Sequence, residues 1–229
     1  MGVFSGTKSS EGLVFLVDAG NPKSYPGSGS TWYNIGNPKG NGSNSNMAYN
    51  SANGGYFDFN NSTSVSTFPD YPELNPTQGL TIESWVNFNG NDNDFIYEKG
   101  NVNTQHSLFS HGGDLNDIRF RSYHEGGGGQ DLFFNKTTEG FTTNTWWHIV
   151  ATYDRSYKRI YLNATERVNV AENRALITRT TGASVGRFGG TTTGYYFGGK
   201  ISYVAVYERA LSADEIKSHF NSIRGRYGV

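Results

Sequence analysis

The residues of this chain with most chemical capacity are carboxylates, histidines and loop aromatics, and their spacing favours recognition over catalysis. His106, His111, His124, His148 and His219 include no His-Glu-x-x-His run of the kind that grips a metal. No Gly-x-Ser-x-Gly elbow is present to expose a nucleophilic serine. Glycoside hydrolysis needs two carboxylates about 5 Å apart, or roughly 6.5 to 9.5 Å. Asp114 and Asp117 are three positions apart, which puts them on opposite faces of a strand. Oxygen donors gather in two turns, Asn91-Asp92-Asn93-Asp94 and Asp114-Leu115-Asn116-Asp117. Hard cations take such oxygens. Calcium is therefore the candidate cofactor and Asp92, Asp94, Asp114 and Asp117 its candidate ligands; two solvated turns are the plainer reading, since neither completes a calcium loop. Sugar recognition would use a ring face for stacking and nearby polar groups for the hydroxyls. The candidate ligand-binding residues are Trp32 and Tyr33, Tyr123 and His124, and Tyr195 and Tyr196. The same aromatics would also serve as packing anchors. The glycine run 126–129 lacks a following Lys-Ser/Thr or helix start, so it reads as a hairpin tip and not a phosphate cradle.

Composition narrows the classes. The chain has 229 residues and no cysteine, which excludes disulfides and thiolate metal sites. A net charge of −1 gives no basic field to gather nucleic acid. The longest apolar run, 13–17, is too short to cross a bilayer, so no membrane insertion is expected. The first residues lack a basic region followed by a long apolar stretch, so no signal peptide is expected.

The positioning elements read as strands. Aromatics make up 15% of the chain and glycines number 30, which suits half-buried pleated surfaces joined by tight turns. In 80–88, Leu80, Ile82, Ser84, Val86 and Phe88 share one face; Thr81, Glu83, Trp85 and Asn87 share the other. Further strands are expected at 13–17, 56–59, 95–97, 107–109, 117–123, 130–134, 146–153, 159–163, 167–170, 183–186 and 200–207. Asp154 opens a hairpin turn. Residues 20–55, rich in Gly, Asn and Ser but carrying Tyr25, Trp32, Tyr33, Ile35 and Tyr49, read as a long ordered loop pinned by its aromatics. One helix is expected near the end. Ser212 and Glu215 form a capping box, Leu211 and Ile216 a hydrophobic staple, and Gly225 a stop. Ile216, Phe220 and Ile223 share its apolar face, which should pack on the rim of the sandwich. One domain spans 1–229, with its core at about 12–220.

Five segments in order carry a family resemblance. They are Gly12-Leu13-Val14-Phe15-Leu16-Val17-Asp18-Ala19-Gly20-Asn21, Leu80-Thr81-Ile82-Glu83-Ser84-Trp85-Val86, the pair of runs 147–154 and 159–164, the closing run 197–207, and Arg209-Ala210-Leu211-Ser212-Ala213-Asp214-Glu215-Ile216. They resemble laminin-G-like domains of the concanavalin A-like lectin and glucanase superfamily. The resemblance implies an all-β jelly-roll sandwich of two antiparallel sheets with one short C-terminal helix; function is not implied by fold. Hydrolases of that superfamily carry a Glu-x-Asp-x-x-Glu run, absent here, so no enzyme activity is expected. Some relatives carry acidic calcium ligands just after the isoleucine of the closing strand; Ser202 and Tyr203 stand there instead.

The run 18–25 with Trp32-Tyr33, and the ending Arg224-Gly225-Arg226-Tyr227-Gly228, resemble laminin-G-like domains of tailed-phage structural proteins. That resemblance implies a virion surface protein, a capsid decoration or fibre component. It would be assembled in the host cytoplasm, dock to capsid or tail proteins, and adsorb to glycans. The alternative is a lectin-like carbohydrate-binding module, calcium-dependent or not; a glycoside hydrolase is the third reading. Self-association through a sheet edge is open.

Overall fold

The alternating faces read from the sequence assemble into two stacked antiparallel sheets. A computed structural model describes residues 10–36, 40–90, 94–100, 105–112, 116–189 and 195–229. The strands of the first sheet are β1 (Leu13–Asp18), β4 (Ala48–Asn50), β5 (Tyr56–Asn60), β7 (Leu80–Phe88), β12 (Trp146–Tyr153), β13 (Tyr157–Leu162), β14 (Thr165–Ala171) and β16 (Gly198–Tyr207). Its order is β14-β13-β12-β7-β16-β5-β4, with β1 also paired to β16. The second sheet holds β2 (Thr31–Trp32), β3 (Gly42–Ser45), β6 (Val65–Phe68), β8 (Phe95–Lys99), β9 (His106–His111), β10 (Asp117–Tyr123), β11 (Gly129–Asn135) and β15 (Ala183–Val185). Its order is β11-β10-β9-β8-β15-β6-β3-β2. The helix α1 spans Ala213–Ile223.

The main core lies between the sheets. Leu80, Ile82, Val86 and Phe88 of β7 meet Ile149, Ala151 and Tyr153 of β12, Ile160 and Leu162 of β13, and Ile118, Phe120 and Leu132 from the facing sheet. The hairpin turn forms as expected: Asp154 Oδ1 accepts from the amides of Ser156 (2.8 Å) and Tyr157 (2.6 Å). The outermost strand β14 is mostly exposed and carries Glu166, Arg167 and Asn169, which discourages pairing with another chain.

Three expectations need correction. The expected loop 20–55 contains β2, β3 and β4, which join both sheets. Its Asn and Ser content hid strands of two to four residues, too short to display a period. Helix α1 does not sit on the rim. It covers the outer face of the first sheet, where Ile216, Phe220 and Ile223 pack with Trp85, Trp146, Val150, Tyr203 and Tyr207 in a second core. Both faces of β7 are therefore buried. Gly225 is not the helix stop either: the chain continues through a 3₁₀ turn, Arg224–Arg226, which seats Tyr227 on Trp85 with ring centroids 4.2 Å apart. The capping box does form, with Glu215 N donating to Ser212 Oγ (3.2 Å) and Ser212 N to Glu215 Oε2 (2.9 Å).

The opening run 18–25 and the ending 224–228 meet in space. Arg226 Nη1 and Nη2 donate to the two carboxylate oxygens of Asp18, each at 3.0 Å. The Tyr227 hydroxyl donates to Ser202 Oγ (2.9 Å), beside the same guanidinium. A Cβ on Gly20 would lie 1.7 Å from Gly54 O and 2.2 Å from Arg226 Nη2, so only glycine fits there. These residues form a clasp that ties the first strand to the last turn.

Candidate functional site

Antiparallel pairing brings the ends of six strands to one end of the sandwich, where they surround a cleft of about 140 Å³. Phe88 closes β7, Asp94 precedes β8, Ser110 lies near the end of β9, Asn116 precedes β10, and Lys136 and Thr137 follow β11. Phe141 and Thr143 come from the connection into β12.

One wall is aromatic. Phe141 stacks on Trp147 (4.7 Å between centroids, 14° between planes) and meets Phe88 edge-on at 5.3 Å. The Trp147 indole N–H donates to Thr142 O (2.9 Å), which fixes the ring under the loop. Phe141 and Trp147 are both partly exposed. The other wall is polar. Lys136 Nζ donates to Ser110 Oγ (2.9 Å), and Asn116 Nδ2 donates to Thr137 Oγ1 (2.7 Å). Asp94, fully buried, accepts from the Gly198 amide at 2.6 Å. The backbone is held too: Lys136 N donates to Asn116 O and Phe141 N to Lys136 O, both at 2.9 Å. A flat ring beside positioned donors and acceptors is the arrangement a sugar needs, apolar on one side and hydroxyl-matching on the other.

The sequence-named residues scatter. Trp32 is 0% exposed and packs edge-on against Phe57 at 4.7 Å, so it is a core residue and corrects the expectation of a ligand contact. Tyr33 is 41% exposed but follows β2, at the opposite edge of the second sheet from β10 and β11. Tyr123 closes β10, at the far end from the cleft, and covers Gly129. His124 is 1% exposed, with Nε2 bonded to Ser122 Oγ (2.9 Å) and Nδ1 to Arg174 O (3.0 Å). Burial lowers its pKa and keeps it neutral; it is a satisfied interior histidine, and the reading as a ligand contact is corrected. Tyr195 is 39% exposed and packs on Phe188 and Phe95, while Tyr196 lies under Arg187.

Asp92 and Asp114 lie outside the described residues. Both turns nevertheless reach the cleft, through Asp94 and Asn116. Asp117 is engaged by Arg119, whose Nε and Nη2 donate to its two oxygens at 2.9 and 2.7 Å. Among the described residues no group of three acidic or histidine side chains could hold a metal. Asp117 is thus matched by a guanidinium, and the Lys136 ammonium lines the cleft that Asp94 reaches.

Sequence reasoning missed Phe141, Lys136 and Ser110. Phe141 follows Gly140 and precedes two threonines, the same aromatic-in-a-loop pattern that drew attention to Trp32. Lys136 and Ser110 carried no signal.

A laminin-G-like family model, described as concanavalin A-like lectin/glucanases superfamily, matches residues 59–217. The chain belongs to this superfamily. No match was found among curated proteins. Solved structures share the fold at low identity. The binding domain of Paraclostridial Mosquitocidal Protein 1 superposes with a TM-score of 0.72 at 15% identity, covering 93% of this chain and 52% of that one. The binding domain of botulinum neurotoxin DC in complex with SialylT gives 0.72 at 12% identity, with 93% and 52% covered. A botulinum neurotoxin type C structure, whose cell entry is described as dependent upon interaction with two ganglioside molecules, gives 0.71 at 11%, with 93% and 52% covered. The superfamily member described here thus spans about half the length of those chains.

Proposed function

We propose that this chain is a non-enzymatic carbohydrate-binding module and that the end cleft receives the sugar. The observation carrying this reading is the pairing of the Phe88 and Phe141 wall (Trp147 stacked behind Phe141) with Lys136, Asn116 and Thr137 across one opening. The fold is shared with binding domains, two of them linked by their descriptions to glycans or gangliosides, which supports the reading. Catalysis has little to work with there: Asp94 is the single carboxylate lining the cleft among the described residues, and glycoside hydrolysis calls for two. Binding is proposed to be calcium-independent, because an ammonium already lines the cleft.

A glycan-array screen in calcium and again in chelator tests this. Binding should survive chelation. Phe141→Ala should weaken it roughly three- to tenfold, the worth of one aromatic contact. Lys136→Ala should weaken it roughly ten- to a hundredfold, the worth of a hydrogen bond from a charged donor. Absence of binding in both buffers would overturn the proposal. Display on a virion surface is a separate proposal that rests on the terminal resemblance. Its residues Asp18 and Arg226 are engaged in the internal clasp, so co-sedimentation with tailed-phage capsids is the measurement it needs.

A further inference from the structure

The outer face of the second sheet carries a groove beside β15 that shares no lining residue with the end cleft. Its volume is about 270 Å³. Its floor is made of small residues, Thr67, Thr181, Gly182, Ala183 and Ser184, and Arg187 forms a wall. Gly182 is required there, because a Cβ would lie 2.1 Å from Phe68 O.

Arg187 opens a short ribbon laid over the sheet. It pairs with Tyr196 in an antiparallel bridge, flanked by bonds from Phe188 N to Tyr195 O (2.9 Å) and from Phe197 N to Gly186 O (2.8 Å). Phe188 and Tyr195 anchor the ribbon on Phe95, and the Gly189 amide donates to Glu98 Oε2 at 2.6 Å. The Arg187 guanidinium lies 5.7 Å from the centre of the Tyr196 ring. An aromatic face therefore sets its position, and not an acid.

Other arginines of this chain rest on carboxylates: Arg121 on Asp131, Arg174 on Glu172, Arg209 on Glu215, Arg226 on Asp18. Arg187 has no carboxylate partner among the described residues, and its Nε is shielded from solvent with no acceptor. A guanidinium in that state retains an unmet demand for an anion, and its planar fork matches the oxygens of a carboxylate or sulfate. Ser184 Oγ donates to Arg187 O (2.7 Å) and so holds the arginine backbone in place, and the Thr67 and Thr181 hydroxyls in the lining suit a polyol more than an apolar group.

We propose that this groove binds the carboxylate or sulfate of an acidic saccharide, with Arg187 as the charged contact and Tyr196 as the residue that positions it. The site is separate from the cleft and does not depend on it. Surface plasmon resonance on immobilised oligogalacturonate (carboxylate only), carrageenan oligosaccharide (sulfate only) and maltotetraose (neither) tests the proposal. The wild type should bind one or both acidic probes more tightly than the neutral one, and the stronger of the two identifies the anion. Arg187→Ala should lose about tenfold or more, the effect of removing a charged hydrogen bond. Arg187→Lys should lose part of that, because it keeps the charge and not the fork. Arg155→Ala removes an equal charge at a site bonded to Asn173 O and Gln78 Oε1, and should change nothing. Phe141→Ala should leave this binding intact, which separates it from the cleft. Melting temperatures verify that each variant folds. Failure of the wild type to prefer either acidic probe overturns the proposal. So does an equal loss in the Arg187 and Arg155 variants, or full binding by Arg187→Ala.

Discussion

Glu83 and Asp94 are both fully buried carboxylates, one in the middle of β7 and the other just ahead of β8. Around Glu83 the chain closes completely. Its two oxygens are hydrogen-bonded to His148 Nε2 (2.9 Å) and His219 Nδ1 (3.0 Å), and helix α1 lies over them with Phe220 and Tyr227 stacked on Trp85. Around Asp94 the chain stays open, and Lys136, Asn116 and Thr137 line the same cleft within reach of solvent. Residue type does not separate the two clusters, since each combines a carboxylate with nitrogen donors and aromatic rings. Closure does. A polar cluster sealed by the chain specifies how the helix docks, whereas one at an open strand end has unused capacity for a ligand.

Breaking the sealed cluster should have the largest effect on stability. Glu83→Ala strands two buried histidines, and a buried hydrogen-bonding group left without its partner costs about 1–3 kcal/mol each. Urea unfolding should show that loss; a change under 1 kcal/mol would mean the cluster does not hold the helix. Trp32→Ala tests the corrected reading of the 20–55 segment. It should cost about 3 kcal/mol or more, as an aromatic lost from a core does. A normal melting temperature with selective loss of glycan binding would restore Trp32 to a ligand site.

The helix cap is a smaller contributor with a defined pH window. Arg209 pairs with Glu215 and, with the Ser212 amide, holds its carboxyl down from the ordinary 4.5 to about 2. A carboxyl with a lowered folded-state pKa stabilises above its unfolded pKa, and that contribution disappears as pH falls from about 4.5 toward about 2. Glu215→Gln should cost about 1 kcal/mol at neutral pH and flatten the difference from wild type in acid. A difference that stays constant down to pH 2 would count against the cap. The smallest stability change belongs to the open cluster. Phe141→Ala, at a partly exposed loop position, should shift stability by about 1 kcal/mol or less while weakening glycan binding. Equal losses of stability and binding would make the cleft another piece of core.

Much of the scaffold was legible because its signals are local. The faces of 80–88, the Asp154 turn and the Ser212–Glu215 box each depend on residues a few positions apart, and period or side-chain reach fixes them without reference to the rest of the chain. The family pattern followed for the same reason, since its segments are strands and caps in order. The site was not legible. Asp94 meets Gly198 across 104 positions, Lys136 meets Ser110 across 26, and Glu83 meets His219 across 136. Trp32 occupies a strand of two residues, too short for alternation to show which way its ring faces. Sequence by itself determined the longer strands, the Asp154 turn and the helix cap of this protein. Only the stacking of two sheets and the docking of α1 decided which aromatics are buried and which polar groups remain open, because those outcomes depend on contacts between residues that no local pattern connects.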